Sequence, residues 1–174
     1  HAVIRGLLAR NAPEASEGRK RWVTGLNTIH RGLLAPEWDT VADGVNFAAV
    51  CAAMVRHIPA DAAVTSDAGN FSSFLHRYFP FKQTHVFLAS NVGAMGAAVP
   101  MAVAAALRRP GKRAVAFVGD GGILRTGNEI ATAMREGVAH IIIMSDNSGY
   151  GTIGMHHEGR YPGRPYDKAT SLVN

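Results

Sequence analysis

Ala114-Val115-Ala116-Phe117-Val118, followed at once by Gly119-Asp120-Gly121-Gly122, is the stretch on which the fold turns. Five apolar residues without a polar break make a strand that needs cover on both faces, which is how strands inside parallel sheets read. The glycines and the single carboxylate directly after it mark a tight strand-to-helix turn.

Working outward, the chain repeats this alternation. Upstream, an alanine-rich helix is predicted to run to about Leu107, with Gly111 closing its turn. Before it, Val86 to Ala89 reads as a strand leading to Asn91-Val92-Gly93-Ala94-Met95-Gly96, and Ala62 to Ser66 as a short buried strand ending in Asp67-Ala68-Gly69-Asn70. An aromatic segment, Phe71 to Phe81, lies between them. Phe47, Val50, Cys51, Met54, Val55 and Ile58 fall at three-and-four spacing and stop at Pro59, the pattern of an amphipathic helix. Downstream, Thr126 and Glu129 read as a capping box at a helix start, and Gly137 as its stop. His140 to Ser145 is the next buried strand, and it empties into Asp146-Asn147-Ser148-Gly149-Tyr150-Gly151. Strands alternating with helices predict a doubly wound, mostly parallel α/β sheet with helices on both faces.

The 174 residues suffice for one core, and 47% apolar with 18% charged residues is the balance of an ordinary globular protein. The net charge of +5 is scattered, with only Arg19, Lys20 and Arg21 clustered, so no nucleic-acid patch is expected. No apolar run reaches spanning length and no secretion signal opens the chain, so no membrane partner and a cytoplasmic protein are expected. The lone Cys51, among alanines, fits a small core residue in a reducing compartment. From His1 to Asp43 the pattern is irregular, with Trp22, Leu26, Ile29, Leu33 and Leu34 at rough helical spacing.

In a parallel sheet joined by right-handed crossovers, the loops that follow the strands collect along one edge, where ligands bind. Asp120 and Asn147 should therefore meet. A hard divalent cation such as magnesium takes oxygen ligands, commonly one or two protein groups together with phosphate oxygens. Asp120 offers a carboxylate and Asn147 an amide oxygen, while Gly121 and Gly122 leave backbone amides open to a phosphate. A bare turn without ligand is the alternative for Gly119 to Gly122. A dinucleotide site is excluded because Leu124 stands where its third glycine is required. His156 and His157 are adjacent and diverge on most backbones, so a surface loop is favoured over a metal site there. Arg160 to Lys168, rich in Pro and Gly, reads as a mobile loop.

Gly119-Asp120-Gly121, twenty-four residues, then Asp146-Asn147 resembles the signature of thiamine-diphosphate enzymes, which runs from Gly-Asp-Gly to a paired Asn-Asn. The resemblance extends over about Asp61 to Asn174, includes Gly69-Asn70-Phe71, Gly93-Ala94-Met95-Gly96 and Tyr150-Gly151-Thr152-Ile153, and is nearest the acetolactate-synthase-like branch. It implies that Asp120, Asn147 and the Gly149 carbonyl ligate Mg2+, and that Gly121, Gly122 and Asn70 contact the diphosphate with Phe71 nearby. It further implies that Met95 is the wedge that folds the cofactor, that the Gly93 carbonyl accepts from its exocyclic amine, and that Thr152 and Ile153 face the substrate.

The resemblance implies a 2-oxo acid substrate such as pyruvate, with decarboxylation followed by carboligation. Other decarboxylases or aldehyde lyases of the superfamily are alternatives, as is a non-catalytic remnant serving assembly. The implied partner is a pyrimidine-binding domain, from another subunit of a homo-oligomer, which carries the activating glutamate. Without it the isolated chain is expected to be inactive, and Trp22 and Trp38 are candidates to face that neighbour. FAD, where the parent protein binds it, would contact a middle domain outside this chain. Residues 1–43 are expected to connect from a preceding domain, and residues 44–174 to form the cofactor-binding domain, both ends being cuts in a longer chain. Asp146, in place of the first paired asparagine, adds a negative charge expected to tune cofactor affinity.

Overall fold

The computed structural model describes residues 2–10, 14–34 and 41–165, and the chain divides into two compact units, His1–Pro36 and Glu37–Asn174. The first unit holds helices α1 (Ala2–Leu8) and α2 (Glu17–Leu34). Ser16 starts α2 by accepting the Arg19 amide at 3.2 Å. The rough spacing of Trp22, Leu26 and Ile29 is therefore a true helical face, yet α2 has no buried residue and Trp22 is 67% exposed. Trp38 lies outside the described residues.

The second unit is a four-stranded, wholly parallel sheet in the order β2-β1-β3-β4, where β1 is Ala63–Ser66, β2 Val86–Ala89, β3 Ala114–Gly119 and β4 Ile141–Ser145. All six residues of β3 are buried, as its unbroken apolar run requires. Its side chains alternate between two cores. Val115 and Phe117 join Val64, Cys51, Leu75 and Phe79 on the face covered by α3 (Phe47–Met54) and α4 (Asn70–Tyr78). Ala114, Ala116 and Val118 face Ala98, Ala102, Ala105 and Ala106 of α5 (Ala98–Arg108). Alanine against alanine lets α5 approach the sheet closely, while aromatic and branched residues fill the wider space opposite. The doubly wound parallel sheet is thus as expected.

From β1 the chain leaves through α4 toward β2. From β3 it leaves in the opposite direction, through α6 (Asp120–Thr126) and α7 (Glu129–Arg135), toward β4. The carboxyl ends of adjacent β1 and β3 therefore diverge, and a crevice opens between them at the switch point of the sheet.

Three local readings are corrected. The helix after β3 begins at Asp120, not Thr126, and breaks at Gly127 and Asn128 before resuming at Glu129. No capping box forms: Thr126 is the last residue of α6 and Asn128 precedes α7, so Thr126 is not placed to accept an amide there, and its Oγ1 donates to the Gly96 carbonyl at 2.6 Å. Gly137, at φ +66°, does end α7. His156 and His157 belong not to a loop but to α8 (Gly151–Arg160). The aromatic segment, left unassigned by the sequence, is helical as far as Tyr78, as α4, with Leu75 in the helix and Phe79 just after it buried in the core. Residues 161–165 form a turn after α8, where the Gly163 amide donates to Glu158 Oε1 at 3.3 Å, and the rest of the proposed mobile loop lies outside the described residues. No described helix is long and apolar enough to cross a membrane.

Candidate functional site

The crevice at the switch point is a cavity of about 230 Å³. Its walls come from the loops after β1, β3 and β4. Ala68 to Phe71, Gly119 to Gly122, and Asn147 with Gly149 all line it, together with Met95, Thr152 and Ile153. Register explains the convergence. Ser66 pairs with Phe117 and Gly119 with Ser145, so the residues that follow each strand emerge side by side.

Asp120 is 4% exposed at the head of α6, and its Oδ2 accepts the Gly149 amide at 3.1 Å. That bond ties the turn after β3 to the loop after β4 and sets the Gly149 backbone beside the carboxylate. Asn147 reaches the same cavity, with its Nδ2 against the α-carbon of Gly151, where a methyl group would approach it to 2.7 Å. A carboxylate, a side-chain amide and a backbone carbonyl are hard oxygen donors, suited to a hard divalent cation whose remaining ligands come from an anion. Among the described residues no group of three His, Cys, Asp or Glu converges, so the cation would depend on that mixed set.

The anion would meet backbone amides. Helices α4 and α8 both start at the cavity, from Gly69 and Tyr150, and neither start has a side-chain cap. Gly151 N–H donates to the Gly149 carbonyl and Ser72 N–H to the Gly69 carbonyl, so an anion would meet the remaining amides of these two first turns, at the positive end of each helix dipole. Asn70 and Thr152, on these two first turns, are joined by a hydrogen bond from Thr152 Oγ1 to Asn70 Oδ1 at 2.9 Å. The Thr152 hydroxyl is thus spent on another wall residue, while Ile153 is 58% exposed at the rim.

The glycines divide into distinct roles. A methyl group on Gly121 would lie 2.9 Å from Met95 Cε and 3.0 Å from Tyr150 Cε1, so these two side chains close over it. Gly122 faces the other way: a methyl group there would come to 2.0 Å from Asp67 Oδ2 and 2.8 Å from Val118 Cγ2. Gly122 is required for packing against Asp67 as well as for an open backbone. Gly93, at φ +66°, is exposed and is not among the residues lining the cavity, whereas Met95, two residues on, is.

Asp146 does not line the cavity. Its Oδ1 accepts the Ser148 amide at 2.8 Å, a side-chain turn that holds Ser148 at φ +51°. Phe47 and Tyr150 line the cavity and Asp67 packs behind it against Gly122, though none of the three is a site residue predicted from the sequence. Asp67 had a signal, since it is the acid at the carboxyl end of a buried strand, on the edge where ligands bind. Phe47 lines the cavity from α3, and nothing in its helical spacing distinguishes it from core.

Against known proteins, a family profile described as thiamine pyrophosphate enzyme, C-terminal TPP binding domain, matches residues 67–173. The chain is 31% identical over 105 residues to the acetolactate synthase large subunit of Lactococcus lactis subsp. lactis (strain IL1403), covering 60% of this chain and 18% of that protein. With the acetolactate synthase isozyme 3 large subunit of Escherichia coli (strain K12) it shares 28% identity over 129 residues, covering 74% and 22%. In fold it is similar to the thiamine diphosphate-dependent 4-hydroxybenzoylformate decarboxylase of Rhodococcus jostii RHA1, with a TM-score of 0.72 at 19% identity over 80% of this chain and 26% of that one. The chain thus spans only about a fifth of the length of the curated relatives it matches. Because the profile covers more than half of the chain and begins at the acid that ends β1, the chain belongs to the thiamine pyrophosphate enzymes and carries their C-terminal cofactor-binding domain.

Proposed function

We propose that this domain grips the diphosphate of thiamine diphosphate through Mg2+, in an acetolactate synthase-like enzyme that decarboxylates a 2-oxo acid such as pyruvate and joins the product to a second carbonyl. The observation that carries the reading is the convergence of Asp120, Asn147 and Gly149 on one cavity, with Asp120 buried. Asp120, Asn147 and the Gly149 carbonyl are the protein's ligands to the cation. The Gly149 carbonyl also accepts the Gly151 amide at 2.9 Å, which leaves it a second lone pair for the metal.

Asn70, Gly121 and Gly122 receive the diphosphate, and Phe71 walls it. When bound, thiamine diphosphate supplies the nucleophilic carbon and the electron sink. The protein's part is to hold it folded, with Met95 as the wedge above Gly121 and the Gly93 carbonyl as acceptor for the exocyclic amine. Thr152 acts first through its bond to Asn70, and Ile153 at the rim meets the substrate. The activating glutamate comes from a pyrimidine-binding domain of another subunit, so the working unit is a homo-oligomer. Asp146, one of the two motives for reading the chain as a non-catalytic remnant beside the expected cuts at its ends, is bonded to Ser148 and does not line the cavity, which speaks against that reading.

Calorimetric titration of thiamine diphosphate into the full-length protein, with and without Mg2+, tests the reading. Magnesium-dependent heat is expected, and Asp120→Ala should abolish it while leaving the far-ultraviolet circular dichroism unchanged. Undiminished binding in Asp120→Ala would remove the assigned metal role. Product analysis with pyruvate then separates carboligase from simple decarboxylase.

A further inference from the structure

Asp67 is 3% exposed, and a buried carboxylate is costly unless its oxygens are bonded. None of the ion pairs among the described residues includes it. Its charge is held by backbone amides: Oδ2 accepts Gly96 N–H at 2.7 Å and Oδ1 accepts Ala97 N–H at 3.0 Å, just ahead of the first turn of α5. The Gly96 N–H belongs to the same rigid peptide plane as the Met95 carbonyl, so this bond fixes the orientation in which Met95 leaves the backbone. On the far side of Gly96, at φ +87°, Thr126 Oγ1 donates to the carbonyl at 2.6 Å. Both peptide groups of the residue after Met95 are therefore held by Asp67, and the second is held from the end of α6 as well.

The same Oδ2 lies against Gly122, where no side chain fits beside it. One oxygen atom thus touches both the loop that carries Met95 and the turn that carries Asp120 and Gly121. From this geometry we infer that Asp67 is a positioning residue, whose carboxylate sets Met95 at a fixed height over the Gly121 backbone. The inference rests on the cofactor reading above and deepens it. Asp67 touches neither cofactor nor substrate. It acts through Met95, and it contributes to turnover by keeping the wedge and the diphosphate turn in one register.

Asp67→Asn keeps the size of the side chain but offers an oxygen to only one of the two amides and turns an NH2 group toward the other. In the full-length protein at saturating cofactor and Mg2+, kcat should fall about tenfold or more, with KM for pyruvate within about twofold, because what is lost orients the bound state rather than captures substrate. The circular dichroism that the cofactor acquires on binding should weaken in parallel, a signature a purely structural residue would leave alone. Thr126→Val removes one of the two bonds on the Gly96–Ala97 peptide with Asp67 intact, and should change kcat and the dichroism in the same direction. If Asp67→Asn does not fold, Thr126→Val decides. Wild-type kcat and wild-type cofactor dichroism in the folded variants would overturn the inference, whatever their thermal stability. Absence of magnesium-dependent heat in the wild-type protein would instead overturn the cofactor reading, and this inference with it.

Discussion

In the loop after β4 a single carboxylate is fixed by its own backbone. Asp146 departs from the paired asparagines of the family signature, but its carboxylate folds back on Ser148. Since an asparagine oxygen accepts the same bond, Asp146→Asn should change unfolding free energy by less than about 0.5 kcal/mol, with cofactor affinity unchanged. Asp146→Ala, which frees the Ser148 amide and its left-handed backbone, should cost about 1 kcal/mol in urea denaturation. The same scale governs Cys51, fully buried between α3 and the sheet. Desolvation pushes its thiol up from 9.0 to about 12, against a smaller opposing backbone hydrogen bond. Because the folded value lies above the unfolded one, the neutral thiol contributes stability that is complete below pH 9 and is lost as pH rises from about 9 to about 12. Wild type should therefore lose stability over that window more steeply than Cys51→Ala. Its thiol should also resist a disulfide reagent at pH 8 until urea is added.

Among the elements of the second unit, α3 has its start set by a side chain. Asn46 Oδ1 accepts the Ala48 amide at 3.1 Å and the Ala49 amide at 3.4 Å. Asn46→Ala should lower stability by about 1 kcal/mol, measured by chemical denaturation, without touching the cavity-lining turns. Helices α4 and α8 differ in kind, because their starts are uncapped and point into the cavity. These two were the elements the sequence concealed. Phe71 to Phe81 reads as aromatic without a clear period, and Gly151 opens α8 directly after a glycine-rich loop. By contrast α5 and all four strands were legible to within a residue or two, but only β1 and β3 are buried as their apolar runs require. At the two sides of the sheet β2 leaves Val86 and Phe87 exposed, and β4 leaves Ile141 and Met144 exposed, so His140 to Ser145 is not the buried strand expected. The misplaced capping box has the same origin as the hidden helices. Thr126 and Glu129 carry the local pattern, but α6 runs on through Thr126, whose hydroxyl donates to Gly96, thirty residues away in sequence.

For the whole molecule, ligand and stability are linked. If the full-length protein binds thiamine diphosphate and Mg2+ only when folded, raising both to about a hundred times their dissociation constants should add about 2.7 kcal/mol, seen as a higher unfolding midpoint that a chelator reverses. The sequence by itself determined the doubly wound sheet, the edge on which the cavity opens, and the placing of Asp120 and Asn147 on that one cavity. Those follow from apolar runs and from the handedness of crossovers, which are properties of local pattern and chain chirality. Only the tertiary structure decided what the other groups do: that Gly122 makes room for Asp67, that Asp67 and Thr126 clamp the residue after Met95, that Thr152 answers to Asn70, and that Asp146 turns away. Each of these depends on which hydrogen-bond partner lies within about 3 Å in the folded chain, and residues far apart in sequence acquire that proximity only when the sheet brings its strand ends together.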